Sequence, residues 1–349
     1  MKIEVFSPTI RRKEMDAVLT VMVEEKIGPG ERGRFLIQIA RENLRFDYAL
    51  CLRSPAIALY LALKALNLEP GQAVALSALS PRYYLRVLED LGLRPLYCDV
   101  SMSFPCMNRE TIEQAIKDKA MGMDLRCILL NHTLGFIPDT ASISELGLPV
   151  IEDISQSCNV SSGEEAAESK DRVNGVFTIL GLEERDILTS GGGALLFASN
   201  RRDSSILRNF AELPPEYCLP DINSAMAVIQ FKEFRRNMEK RKEIARVFMQ
   251  ASLQSHHKRF VPLEKWEYNN YAFPIVLESG LKDVITYANK KDIVVESAFS
   301  QSLAGRADGN TLNCPAAYSL SLRTALFPLY PRLRSGEIER ISKLIMTLP

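Results

Sequence analysis

Lysine is missing from one long stretch of this 349-residue chain: none occurs between Lys170 and Lys232. Other absences exclude whole classes of function. The seven cysteines (Cys51, Cys98, Cys106, Cys127, Cys158, Cys218 and Cys314) form no C-x-x-C pair, and their number is odd. That excludes a disulfide framework and a cysteine zinc site, and it predicts free thiols in a reducing compartment. Histidine is scarce, and His132, His256 and His257 lack metal-ligand spacing with carboxylates or thiols, so no metal is expected. Charge of one sign is lacking too: 43 basic residues balance 43 acidic ones, which argues against a nucleic-acid or anionic-membrane partner. No apolar run approaches a membrane span. Arg11, Arg12, Lys13, Glu14 and Asp16 leave no room near the N-terminus for an apolar signal core. A cytoplasmic protein is therefore expected.

What is present reads as globular. The chain is 46% apolar and 25% charged, and it is long enough for two domains. Ala56 to Leu66 is a strong helix former, with Ser54 as N-cap and Pro55 at the first helical position. Gln72 to Leu79 reads as a buried strand and Pro81 to Leu91 as a helix. Gly92 to Pro95 reads as a turn into a strand over Leu96 to Val100. Cys127 to Asn131 and Pro149 to Glu152 are further short apolar strands. This alternation predicts an α/β fold with a largely parallel sheet covered by helices, in which ligands meet the carboxyl ends of strands. A long helix begins near Asp221 and passes Ala245; its charge run, Arg235 to Lys242, reads as a solvated face. The pattern changes after Ser255. A large domain over 1–235 and a smaller C-terminal α/β domain over 236–349 are expected.

Ser54 to Leu63 resembles the helix-opening motif S-G-T-x-A-L-x-L-A-L of the DegT–StrS sugar aminotransferases. Further segments follow in the family's order. Gly71 to Val74 resembles G-D-E-V, and Gly92 to Pro95 with Asp99 resembles G-A-x-P…D. His132 to Gly135 resembles H-x-x-G, and Val150 to Gln156 is similar to V-I-E-D-A-A-Q. Gly192 to Leu195, Gln230 to Ala245 and Leu326 to Pro331 resemble the G-G-A-L, Q-L…R-R-x-I-A and L-P-L-Y-P segments. The resemblance implies the fold-type-I architecture of pyridoxal-phosphate (PLP) transferases, with a large mixed sheet, a small C-terminal domain and a homodimer. It also implies a nucleotide keto sugar as ligand and transfer of an amino group to it.

Against that pattern the lysine gap acquires meaning. Transamination needs a lysine amine that bonds the cofactor aldehyde and later shuttles a proton. Counting forward from Phe177 puts that position at Glu183; counting back from Gly192-Gly193 puts it at Arg185. A guanidinium stays protonated and is no substitute. The family's phosphate-binding Gly-Thr becomes Pro55-Ala56, which removes an N–H and a hydroxyl. The ring-stacking position falls at Pro81, which leaves Tyr83 or Tyr84 either to lean into the site or, as is commoner for aromatics at that spacing, to pack the helix. The partner-reaching N-x-R becomes Glu216-Tyr217-Cys218. Asp153, the family's partner for the pyridinium nitrogen, and Gln156, which meets the ring hydroxyl, remain. Ser54, the Ala56 N–H and Thr178 are the residual anion ligands. The Ser190–Gly193 loop reads as a tight strand connection rather than a phosphate nest. The expectation is a non-transaminating pseudoenzyme with a binding or scaffold role in polysaccharide biosynthesis and no cofactor, although the resemblance itself implies PLP. Two rivals stand beside it: a lysine-independent enzyme with His132 as base, and a non-catalytic subunit paired with an active paralogue.

Overall fold

The computed structural model describes residues 2–158, 175–264, 268–307 and 309–349. Helix α1 (Arg12–Val23) and helix α2 (Glu31–Leu44) precede strand β1 (Tyr48–Leu52). Helix α3 (Pro55–Ala65) follows, opened as its sequence dictates: Ser54 Oγ accepts the Ile57 N–H at 3.2 Å and Pro55 fills the first turn. Then come β2 (Ala73–Ser77), α4 (Arg82–Asp90), β3 (Arg94–Cys98), α5 (Arg109–Lys119), β4 (Leu125–Asn131), α6 (Thr140–Ser144), β5 (Val150–Asp153), β6 (Phe177–Gly181), β7 (Ala194–Ala198) and α7 (Arg201–Arg208). The strands form one seven-stranded sheet in the order β1-β7-β6-β5-β4-β2-β3, and β7 is the strand that runs antiparallel to its neighbours. Crossover helices cover both faces, so the strands are buried on both sides and read as continuous apolar runs. Leu76, Leu129, Ile151, Ile179 and Leu196 face one core, under α3 and α4; Leu180, Leu195 and Phe197 face the other.

Strand β3 begins two residues before the expected start, in place of the turn read there. It is the edge strand, paired through Ala73↔Arg94 and Val74↔Pro95 with β2 alone, and an edge has room for a proline without an N–H.

Helix α8 (Asp221–Ser252) runs for 32 residues, about 48 Å at 1.5 Å per residue. It packs on α1 and α2, and also on the C-terminal helix α12 (Ser335–Met346). Most of its charge run is solvated, as in the exposed pairs Arg235–Glu239 and Lys240–Glu243. Arg241 differs: it is buried and Nη1 donates to the carbonyls of Tyr271 at 2.8 Å and Leu329 at 2.7 Å. Burial lowers its guanidinium to about 10. Strands β8 (Phe273–Val276), β9 (Glu296–Ser297) and β10 (Thr324–Phe327) form a second, antiparallel sheet in the order β8-β10-β9. Helices α9 (Leu281–Asn289), α10 (Leu303–Arg306) and α11 (Pro315–Arg323) lie between them in the chain. Ile3 joins this layer's core, hydrogen-bonded to Asp292 and Val294 across 2.9 Å each.

Candidate functional site

The carboxyl ends of β4, β5 and β6 converge on Asp153, the last residue of β5. Its carboxylate is only 3% exposed. Oδ2 accepts the hydroxyls of Tyr84 at 2.6 Å and Tyr83 at 3.0 Å, and Oδ1 accepts the Ser155 N–H at 2.9 Å and its hydroxyl at 2.5 Å. Helix α4 starts at Pro81, so both tyrosines project from its first turn, ring edge to ring face with centroids 4.8 Å apart. Burial and the Asp153 charge raise both phenols well above their ordinary value, which keeps them protonated and donating.

Asp186 completes the cluster. It sits in the loop after β6, where Oδ2 accepts the Glu183 N–H at 2.8 Å. The carboxyl packs against Gly181: a Cβ there would lie 2.3 Å from Asp186 Oδ2 and 2.8 Å from Ser155 Oγ. Burial, with the Asp153 charge adding to it, holds the Asp186 carboxyl well above the ordinary carboxylate range. Among the described residues, the groups whose charge acts on this cluster are the carboxyls of Asp153, Asp186 and Glu183, with no ammonium among them.

The native state therefore keeps the Asp186 proton to higher pH than the unfolded chain does. Its stabilising effect is full below 3.8 and fades as pH climbs through the raised value. Asp186→Asn should flatten the fall in stability between weakly acid and alkaline pH and raise the Tm most at the alkaline end. Thermal unfolding across that range checks this; an unchanged slope refutes it.

The other expected site residues are accounted for individually. The Ser54 hydroxyl is engaged as the α3 cap. Ala56 stands in the first turn of that helix, behind Pro55, which has no N–H to give. Gln156 turns its side-chain oxygen to the Leu134 N–H at 2.7 Å. Thr178 is buried in β6, and among the described residues its hydroxyl has no hydrogen-bond partner. Glu183 lies at the surface, and partial desolvation of its carboxyl by the surrounding loop raises its pKa. Arg185 faces the second sheet: its guanidinium forks onto Glu296 at 2.7 and 3.3 Å and lies 4.9 Å over the Phe6 ring. Glu216 and Tyr217 are exposed in a short 3-10 turn.

The glycine loop is a tight turn with its amides spent internally. The Ser190 and Gly192 N–H groups both donate to Leu182 O at 3.0 Å, and Gly191 N–H donates to Thr189 Oγ1 at 3.2 Å. The φ values of +72°, +137° and +120° at Gly191, Gly192 and Gly193 require glycine.

His132 lies within a buried chain. Its Nδ1 is 2.7 Å from Ser157 Oγ and its Nε2 is 3.0 Å from Glu152 Oε2, while Thr140 Oγ1 and Gly175 N–H also donate to Glu152. Serine, histidine and glutamate in line have the makings of a nucleophile triad. Here the three are 4%, 1% and 0% exposed, so no substrate reaches the hydroxyl. The arrangement clamps the end of β4 to β5. No thiol is activated either: burial pushes Cys98, Cys106 and Cys127 up to about 12. Among the described residues no cluster suits a metal ion, and no helix is long and apolar enough to cross a membrane.

A helix-covered mixed sheet, a small antiparallel sheet, and an aspartate at a central strand end define a PLP-transferase-type scaffold. The chain belongs to the DegT/DnrJ/EryC1/StrS aminotransferase family, whose model matches residues 8–346. It is 22% identical to a dTDP-4-dehydro-2,3,6-trideoxy-D-glucose 4-aminotransferase of Saccharopolyspora spinosa, over 97% of this chain and 95% of that one. The fold matches the sugar aminotransferase Spr1654 of Streptococcus pneumoniae, described as putative and solved in its PLP form. That match has TM-score 0.85 and 17% identity, over 99% of this chain and 98% of the other. It matches equally fully an E. coli GDP-4-keto-6-deoxy-D-mannose-3-dehydratase with bound hydrated PLP, at TM-score 0.82, 16% identity and 99% coverage of both chains.

PLP binding is typical of this family, and at the matching positions this chain places residues that differ from those the resemblance implies. The carboxylate that would meet the pyridinium nitrogen is saturated by the chain's own hydroxyls, and a second carboxyl, Asp186, shares the space. At the phosphate end a proline replaces an N–H donor. From Asp171 to Phe231 the sequence holds no lysine, and Lys170 lies outside the described residues.

Proposed function

We propose that this chain is a non-transaminating member of its family, with a binding or scaffold role in the biosynthesis of nucleotide-linked sugars. The observation that carries the reading is the Asp153 carboxylate, closed by Tyr83, Tyr84 and Ser155. A buried carboxylate with four short hydrogen bonds offers no acceptor to an incoming ring, and displacing the tyrosines would strand two buried hydroxyls. Two of the named relatives, the Saccharopolyspora aminotransferase and the E. coli dehydratase, carry dTDP- and GDP-linked keto sugars in their names, which supports the substrate class of the scaffold.

The test is spectroscopic. The purified full chain titrated with PLP should show only free-cofactor absorbance, and borohydride treatment followed by mass spectrometry should find no pyridoxyl-lysine. A stoichiometric adduct on any lysine would overturn the reading. So would amino transfer from glutamate to a nucleotide keto sugar by the same preparation.

A further inference from the structure

At the amino edge of the large sheet, where β1 begins and β7 ends, Tyr48 pairs with Ala198. This edge is opposite the strand ends that carry Asp153. Here a groove of about 300 Å³ is lined by Arg41 from α2, Phe46 and Asp47 from the approach to β1, and Arg201, Ser204 and Arg208 from α7. Three arginines against one aspartate leave an excess of two positive charges. The guanidinium of Arg208 lies 4.9 Å over the Tyr48 ring, and Arg41 Nε makes a long contact, 3.4 Å, to Phe46 O. Among the described residues none of the three arginines forms an ion pair. The nearby Asp203 is taken by the Asn200 cap, whose Nδ2 donates to it at 2.6 Å.

The second observation is Ser204. It is 3% exposed, and among the described residues its hydroxyl has no hydrogen-bond partner. A helical serine ordinarily returns its hydroxyl to a carbonyl one turn back. A buried hydroxyl left unpaired is unfavourable, and a donor kept unpaired beside a cationic groove suits an acceptor-rich anion. Guanidinium groups bind phosphate through paired N–H donors, and a guanidinium stacked on an aromatic face keeps its edge donors available.

We propose that this groove binds the phosphate group of a small molecule, held by Arg41, Arg201 and Arg208 with the Ser204 hydroxyl as a further donor. The site is separate from the Asp153 cluster and does not depend on the function proposed above.

Calorimetry on the full chain, with inorganic phosphate and with uridine diphosphate as separate probes, tests this. Saturable binding of one equivalent is expected, weakened about tenfold or more by the Arg201→Ala/Arg208→Ala double variant. Equal affinity for the two probes assigns the groove to free phosphate; much tighter uridine diphosphate assigns it to a phosphorylated nucleotide. Ser204→Ala should weaken binding while raising the Tm of the free protein, a pair of opposite changes that a purely structural serine would not give. Absence of binding by both probes at millimolar concentration, or binding untouched by the arginine substitutions, overturns the proposal.

Discussion

Replacing Glu152 with alanine is expected to destabilise the protein by about 3 kcal/mol or more, because several buried donors lose their acceptor at about 1–3 kcal/mol each. Its two oxygens accept from His132 at 3.0 Å, just after β4, from Thr140 at 3.0 Å, at the start of α6, and from the Gly175 N–H at 2.6 Å, just before β6. Alanine strands each of these donors with no route to water. Glu152→Gln keeps the shape and one acceptor oxygen, so it should lose less than half as much. Denaturant unfolding of the two variants, compared at equal m-value, reads the difference. Equal stability of wild type and Glu152→Ala would refute the clamp. A family motif that looks catalytic on paper thus serves to lock two strands.

Gly305→Ala should cost about 3 kcal/mol or more, because the added methyl has no space into which to relax. An ideal Cβ there falls 1.8 Å from Phe299 O and 2.8 Å from its carbonyl carbon, both main-chain atoms. The backbone of α10 would have to move, and with it two hydrogen bonds that tie this segment to the large sheet: Leu303 N–H to Ser80 O at 3.1 Å and Ala304 N–H to Ala78 O at 2.8 Å. These bonds hold the chain just before Tyr83 and Tyr84. The variant should therefore expose the tyrosine pair as well as lose stability, seen as a lower Tm with altered near-ultraviolet circular dichroism. Unaltered unfolding would mean that the close approach is absent in solution.

The element order and the α3 start were legible in the sequence because they rest on local chemistry: an N-cap serine, a first-turn proline and short apolar runs. What escaped depends on distant residues. For Tyr83 and Tyr84 helix packing is the commoner reading and leaning into the site the rarer one; their hydroxyls converge on Asp153, 70 and 69 residues away. Their place just after the position where the family's stacking ring belongs was the available signal. Asp186 had no signal, since its burial depends on how the loop after β6 folds back onto Gly181. Arg241 was misread as solvated with its neighbours. The spacing Phe234, Asn237, Arg241, Ile244, Phe248 traces the buried face of α8 and would have singled it out. The lysine position remained split between Glu183 and Arg185 because both lie in that same irregular loop. The structure turns one toward solvent and ties the other to Glu296.

The pairing of Ile3 with Asp292 and Val294 has a consequence for assembly. The second sheet's core joins Ile3 to Ile293 and Val295, residues far apart in the sequence. Bringing such remote points together costs loop-closure entropy that no local contact repays beforehand. The antiparallel layer should therefore set late in folding, and substituting Ile3 by a polar residue should loosen that layer before it disturbs the large sheet.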